Sequence, residues 1–176
     1  MPSKHHDLRI LAIDLRSQQY GYSVFDGPEP LLDYGGGQLR PGGKPGSVIA
    51  AKRMRQLIKL FTPSVIVVKR PDRRVTARRP GIRLIANAIR REASRHLIPC
   101  RLIARNEIRN VFNPLGAGSK YEIAAVLVRI FPELLSRLPA KRKVGDPEHP
   151  RVVVFDAVSV GFAYWHENDD GVPISD

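Results

Sequence analysis

The sequence predicts an α/β domain with a mixed five-stranded sheet and helices on both of its faces. Three strand-like runs follow one another closely at the start of the chain, which favours antiparallel hairpins. Later strand-like runs alternate with helical segments, as in sheets that contain parallel strands. A hydrophobic fraction of 43% in 176 residues is enough for the core of one domain.

The first strands are predicted from short apolar patterns. Residues 9–15 (RILAIDL) form an apolar run that ends in a carboxylate, which indicates a buried strand. Residues 19–25 (QYGYSVF) alternate as a strand does, the dipeptide and proline at 26–28 (DGP) predict a turn, and residues 31–34 predict a third strand. The chain therefore opens with a β-meander.

The middle of the chain alternates helix and strand patterns. Residues 35–46 are rich in Gly and Pro and predict a loop, and Ser47 predicts the N-cap of an amphipathic helix that ends near Phe61. The β-branched run at 64–68 predicts a central strand buried on both faces. A second amphipathic helix is predicted from Ile82 to Ala93, and a further strand at 99–103.

The last third of the chain predicts mainly helices. Residues 105–112 predict a short helix, and Ser119 predicts the cap of a helix that reaches Phe131. A polar loop at 141–150 precedes an apolar closing helix at 152–165. We therefore expect one domain at 9–165, a disordered tail at 1–8 and an acidic tail at 166–176.

The charge of the chain indicates its class of partner. Lys and Arg number 29 against 17 Asp and Glu, which gives a net charge of +12 and a pI near 10.4. Such an excess favours a polyanionic partner, most commonly nucleic acid. The alternative is a basic surface that only aids solubility. Six basic residues of the predicted loop at 69–80 are the main binding candidates: Lys69, Arg70, Arg73, Arg74, Arg78 and Arg79.

Several other classes are excluded or disfavoured. The single cysteine, Cys100, permits no internal disulfide, and no Cys/His zinc spacing occurs. The polar start lacks the apolar stretch of a signal peptide, and no segment has the roughly 20 apolar residues of a membrane span. We expect a cytoplasmic protein without a membrane partner.

Two aspartates stand out because they lie in apolar surroundings. Asp14 ends the first buried strand, and Asp156 interrupts the apolar run 152–158 (VVVFDAV). A buried carboxylate needs a cation or hydrogen-bond donors. Each is a candidate ligand for Mg²⁺ or Mn²⁺ in phosphodiester hydrolysis. The alternatives are a turn cap or an Arg partner for Asp14 and a solvent-facing position for Asp156.

Three segments carry a resemblance to a known family. Residues 10–27 (ILAIDLRSQQYGYSVFDG), 116–132 (GAGSKYEIAAVLVRIFP) and 155–165 (FDAVSVGFAYW) resemble the first hairpin, the glycine turn with its lysine and helix, and the closing helix of RuvC-type Holliday junction resolvases. The resemblance implies an RNase H-like fold and a Mg²⁺-dependent nuclease of DNA recombination. It also implies a homodimer that acts on branched DNA.

The resemblance covers only part of the expected acidic motif. Asp14 and Asp156 match two of the four family carboxylates, whereas Lys69 stands at the position of the family's glutamate and Val153 at that of another aspartate. A lysine there competes with Mg²⁺ rather than holding it. Glu148 and Asp72 are the acids that could compensate.

The sequence therefore leaves several readings open. We expect a nucleic-acid-binding protein, for branched or duplex DNA, with an eroded metal site. The alternatives are an active Mg²⁺-dependent endonuclease that uses Asp14 and Asp156, a protein-interaction module of the same fold, and an actin-like ATPase, for which the chain is too short. Lys120, after the glycine turn, could meet a phosphate at a helix N-terminus or could be a plain exposed lysine.

Overall fold

A computed structural model describes residues 8–141, 143, 145 and 148–168, and within it the side chains of Pro41 and Asn168 are not considered. The predicted tails lie largely outside these residues. The five strands form one sheet in the order β3-β2-β1-β4-β5. They are β1 (Arg9–Leu15), β2 (Gln19–Asp26), β3 (Leu31–Gln38), β4 (Val65–Lys69) and β5 (Cys100–Ile103).

The sheet is mixed, as the sequence predicts. β2 runs antiparallel to both β1 and β3, whereas β1, β4 and β5 run parallel to one another. β1 occupies the centre, and its five residues 10–14 are buried because helices cover the sheet on both sides. The carboxyl ends of β1 and β4 meet at one edge of the sheet, where ligands bind in many open α/β sheets.

The described residues contain six α-helices, all but the second of which pack on the two faces of the sheet. They are α1 (Gly46–Phe61), α2 (Arg73–Arg78), α3 (Gly81–Arg95), α4 (Arg105–Phe112), α5 (Lys120–Ile130) and α6 (Val152–Asn168). α1 and α3 pack with Leu11 and Ile13 of β1 in one apolar cluster. α4, α5 and α6 pack with Ile10 and Ala12 in the other. Alternate residues of β1 thus face opposite layers, which puts Asp14 on the α6 side.

Helix α6 lies very close to the sheet at two glycines. A Cβ atom at Gly21 would lie 2.0 Å from the carbonyl oxygen of Val153, and one at Gly161 would lie 2.3 Å from a ring carbon of Phe25. Neither site has room for a side chain, so both glycines permit the close approach. The contact fixes the first turns of α6 over β1 and β2, and with them the position of Asp156.

The structure corrects three local predictions. β3 continues to Gln38 through residues predicted as a loop, because Gly35 to Gly37 pair with β2 and leave room for the rings of Tyr20 and Tyr22. Ser47 is not the N-cap of α1, which begins at Gly46 after Pro45. The predicted loop at 69–80 is also wrong in part, since it contains α2, which begins after Asp72.

The other elements agree closely with their predicted bounds. Ser119 caps α5 by accepting a hydrogen bond from the backbone N–H of Glu122, and the Glu122 side chain accepts one from the N–H of Ser119. α6 continues three residues beyond the predicted end at Trp165. Within the described part of the chain, no helix combines the length and apolar character that a membrane crossing requires.

Candidate nucleic-acid-binding cleft

A cleft of about 590 Å³ opens at the carboxyl ends of β1 and β4. The turn after β1, the segment after β4, the first residue of α5 and the first turns of α6 surround it. Six basic and four acidic residues are among those that line it: Arg16, Lys69, Arg70, Arg79, Arg105 and Lys120 with Asp14, Asp72, Glu148 and Asp156. The lining of the cleft thus contains more basic than acidic side chains.

Asp14 lies at the floor of this cleft. It is 3% exposed, and its carboxylate lies 3.2 Å from the Nζ atom of Lys69 and 3.6 Å from the Nε atom of Arg16. Ile13 pairs in register with Val68, so the next residues of the two parallel strands, Asp14 and Lys69, are neighbours on the same side. The sequence thus places a cation directly beside the buried carboxylate.

Asp156 and Glu148 share the same two cations. The Nζ atom of Lys120 lies 3.1 Å from Oδ2 of Asp156 and 2.7 Å from Oε1 of Glu148. The guanidinium group of Arg16 donates to Asp156 through Nη2 and to Glu148 through Nη1. Asp156 belongs to the first turns of α6, whereas Glu148 precedes that helix and reaches the cleft by its side chain. α6 does not extend back to Glu148.

These six residues form a group that we call the cleft cluster: Asp14, Arg16, Lys69, Lys120, Glu148 and Asp156. Its three carboxylates and three cations compensate one another. Mg²⁺ prefers free carboxylate oxygens, and here each carboxylate already accepts from Lys or Arg. Among the described residues, no group of three or more His, Cys, Asp or Glu side chains is arranged to hold a metal ion. In this arrangement, cations of the chain itself contact the carboxylate oxygens that Mg²⁺ would need.

The protonation of the cluster follows from burial and pairing. Burial raises the pKa of the Asp14 carboxyl, which Lys69 only partly offsets. Burial also disfavours ionised Asp156, but Lys69, Lys120 and Arg16 together outweigh it and hold the pKa of this carboxyl below its usual value. Burial disfavours charged Lys69 too, yet the neighbouring Asp14 raises the pKa of its ammonium group. Pairing therefore favours the charged forms of Lys69 and Asp156, whereas burial outweighs pairing at Asp14.

The other predicted binding residues surround the cleft cluster without joining it. We call residues 70–79 the arginine segment. Its Arg73, Arg74 and Arg78 are exposed on α2, and Arg79 donates to Oγ of Ser17 at 2.8 Å. Asp72 caps α2 by accepting from the N–H of Arg74 at 2.7 Å, so this acid supports a helix and does not contact Asp14 or Asp156.

Sequence reasoning missed Arg16, which contacts all three acids of the cleft cluster. A signal was present: Arg16 follows Asp14 by two residues and comes directly after the last residue of β1, where extended backbone puts both side chains on the same side. The sequence names Glu148 as an acid that could compensate, but it does not predict its contacts with Arg16 and Lys120. Its place depends on tertiary packing, which no local pattern encodes.

The fold is similar to solved structures of Holliday junction resolvases. Thermus thermophilus RuvC in complex with a Holliday junction substrate superposes with a TM-score of 0.67 at 13% identity, over 92% of this chain and 96% of that chain. Another Thermus thermophilus RuvC structure superposes with a TM-score of 0.65 at 14% identity, over 89% of this chain and 92% of that chain. The yeast mitochondrial Holliday junction resolvase superposes with a TM-score of 0.63 at 15% identity, over 94% of this chain and 82% of that chain.

These likenesses confirm the RNase H-like, RuvC-type α/β fold that the sequence predicts. No protein-family model and no curated protein matches the sequence. At this identity the comparison establishes the fold, whereas the chemistry has to be argued from the side chains of the cleft.

Proposed function

We propose that the chain is a RuvC-like protein that binds duplex or branched DNA and that its metal site has been replaced by compensating ion pairs. The observation that carries this proposal is the cleft cluster, in which Lys69 and Arg16 contact the carboxylate of Asp14. Family resemblance assigns that carboxylate to a metal ion. Here the same position is neutralised by the protein itself.

The charge around the cleft supports DNA as the partner. Arg70, Arg73, Arg74 and Arg78 are exposed at or near its rim, and none of them forms an ion pair among the described residues. A guanidinium group binds phosphate through two parallel N–H groups. The net charge of +12 adds long-range attraction for a polyanion. A homodimer, as in the family resembled, belongs to the same proposal.

Binding at two salt concentrations tests the first half of the proposal. A labelled duplex and a labelled four-way junction are titrated with the protein, and binding is followed by fluorescence anisotropy. Phosphate contacts release counterions, so we expect the affinity for DNA to fall steeply as the salt concentration rises. A plot of log affinity against log salt concentration should have a slope of about −0.9 for each phosphate contact. Weak, salt-independent binding of both DNAs would contradict DNA binding.

A second candidate function is an active Mg²⁺-dependent endonuclease. The observation in its favour is that Glu148 brings a third carboxylate to Asp156 through the shared Arg16 and Lys120. In this alternative, Asp14, Asp156 and Glu148 would hold the metal after the cations move aside. Calorimetric titration with Mn²⁺ separates the two proposals: an eroded site gives no saturable heat, whereas an endonuclease gives binding that Asp14→Asn weakens.

A further inference from the structure

The acids of the cleft cluster differ in how deeply they lie. The side chains of Asp14 and Asp156 are 5% and 11% exposed, whereas that of Glu148 is 26% exposed. Asp14 belongs to β1 and Asp156 to α6, but Glu148 lies outside helices and strands. Glu148 is therefore the acid on the solvent side, and its displacement requires no change in a strand or helix.

Glu148 contacts its cations as a phosphate group would. Its Oε2 atom accepts from Nη1 of Arg16 and its Oε1 atom accepts from Nζ of Lys120 at 2.7 Å. Two oxygens of one anion are thus shared between a guanidinium and an ammonium group. Two oxygens of a phosphodiester can make the same pair of charge-assisted hydrogen bonds.

The two cations have other partners besides Glu148. Arg16 also donates to Asp156 and lies near Asp14, and Lys120 also contacts Asp156 at 3.1 Å. These buried partners orient both cations toward the same side of the cleft. Lys120 is 45% exposed and Arg16 20% exposed, so both can be reached from solvent. A site organised in this way loses little entropy when an anion binds.

We propose that Arg16 and Lys120 form a binding site for one phosphodiester group of DNA, which the carboxylate of Glu148 occupies in the free protein. DNA binds by displacing that carboxylate, so Glu148 weakens the affinity for DNA. The inference rests on the proposed DNA binding and adds the specific site.

The test compares Glu148→Gln with Glu133→Gln. Both substitutions remove one negative charge, but Glu133 is exposed and does not line the cleft. Circular dichroism melting first verifies that both variants fold. Anisotropy titration of a duplex at fixed salt should then show about tenfold tighter binding for Glu148→Gln, the change expected for one charge-assisted hydrogen bond. Glu133→Gln should change the affinity less than twofold.

A second comparison tests whether the gain in affinity of Glu148→Gln depends on Lys120. Lys120 is exposed enough for Lys120→Gln to keep the fold, and in that background Glu148→Gln should strengthen binding much less than it does alone. Equal effects of Glu148→Gln and Glu133→Gln, or a full gain without Lys120, would overturn the phosphodiester site while leaving DNA binding intact. Absence of DNA binding by every variant would overturn the proposed function and this inference together.

Discussion

The cleft cluster and the neighbouring arginine segment are both rich in cations, but their charges are handled differently. Lys69 and Arg16 are largely buried and pair with Asp14, Glu148 and Asp156. Arg73, Arg74 and Arg78 are exposed, and the one acid beside them, Asp72, caps the helix. The basic residues of the cleft cluster therefore neutralise buried acids of the chain itself. Those of the arginine segment remain available to a ligand.

The same contrast holds for the two layers that cover the sheet. α1, α2 and α3 carry eleven Lys and Arg and a single acid, Glu92, which is itself buried between Arg55 and Arg95. α4, α5, α6 and the 3-10 turn at Pro132–Arg137 carry five basic and five acidic residues. The excess charge of the helices is thus concentrated in the layer of α1, α2 and α3. Under the proposed function, this layer would attract DNA more strongly than the other.

The largest expected effect is the loss of stability when the central cation is reversed. Lys69→Glu leaves Asp14 without its closest cation and adds a like charge in a mostly buried site. We expect the free energy of unfolding to fall by about 3 kcal/mol. Urea denaturation measures it, with Lys52→Glu on the exposed face of α1 as the matched charge reversal, for which about 0.5 kcal/mol or less is expected.

Comparable losses for Lys69→Glu and Lys52→Glu would show that the cleft cluster does not contribute to stability. Added Mg²⁺ gives a further distinction. A metal ion that binds only the folded state stabilises it, so Mg²⁺ should raise the melting temperature of Lys69→Glu but not that of the wild type.

The next effect concerns how the contribution of Asp156 to the free energy of unfolding depends on pH. Its pKa is lower in the folded chain than the ordinary value of 3.8, so its ion pairs stabilise the fold above that pH and lose this effect as pH falls through the folded pKa. We expect Asp156→Asn to cost about 2 kcal/mol at pH 7 and progressively less below pH 3.8. Urea melts at pH 7 and pH 3 measure the difference. An equal cost at both values would contradict an ionised, paired Asp156.

Substitutions in the arginine segment should lower the affinity for DNA and leave the free energy of unfolding nearly unchanged. Arg73→Ala with Arg74→Ala keeps α2 helical, since alanine is a strong helix former and Asp72 still caps the helix. We expect DNA affinity to fall about tenfold and the salt dependence to become shallower by about one contact per arginine. Unchanged affinity with an intact fold would place the DNA contacts on another surface, such as the α3 residues Arg90 and Arg91.

The smallest change in DNA affinity is expected from substitutions in the layer of α4, α5 and α6, where basic and acidic residues are equal in number. Arg129 and Arg137 are exposed there and do not line the cleft. Arg129→Ala with Arg137→Ala removes the same two charges as the arginine-segment variant, yet it should weaken DNA binding less than about twofold. A loss equal to that of the arginine-segment variant would mean that net charge alone, and not its position, determines affinity.

The sequence predicts the fold because most of its signals are local. The apolar run at Arg9–Leu15 is β1 in the structure, with Asp14 as its last buried residue, and Ser119 caps α5 as predicted. The glycines at 35–37 were misassigned because glycine normally marks a loop, whereas here pairing with β2 determines their conformation. The sequence predicts a solvated loop after Asp72 because of its many arginines, whereas the structure has a short helix that Asp72 caps.

The candidate site is predicted less completely than the fold. Asp14, Asp156 and Lys69 could be identified because each departs from an apolar pattern or from a family motif. The sequence names Glu148 among the acids that could compensate but does not reveal its partners, since its contact with Lys120 joins residues 28 positions apart and depends on the packing of α5 beside α6. Charge compensation is a property of three-dimensional neighbours, and a list of acids in sequence does not reveal it.

Metal-dependent cleavage tests the central claim most directly. The wild type, Asp14→Asn and Lys69→Glu are each incubated with a labelled four-way junction and Mg²⁺ or Mn²⁺, and products are resolved on a denaturing gel. An internally compensated cleft predicts DNA binding by the wild type without cleavage, because Lys69 and Arg16 hold the carboxylate that a metal ion would need. Cleavage gained by Lys69→Glu would strengthen this account. Cleavage by the wild type that is lost in Asp14→Asn would contradict it and establish the endonuclease instead.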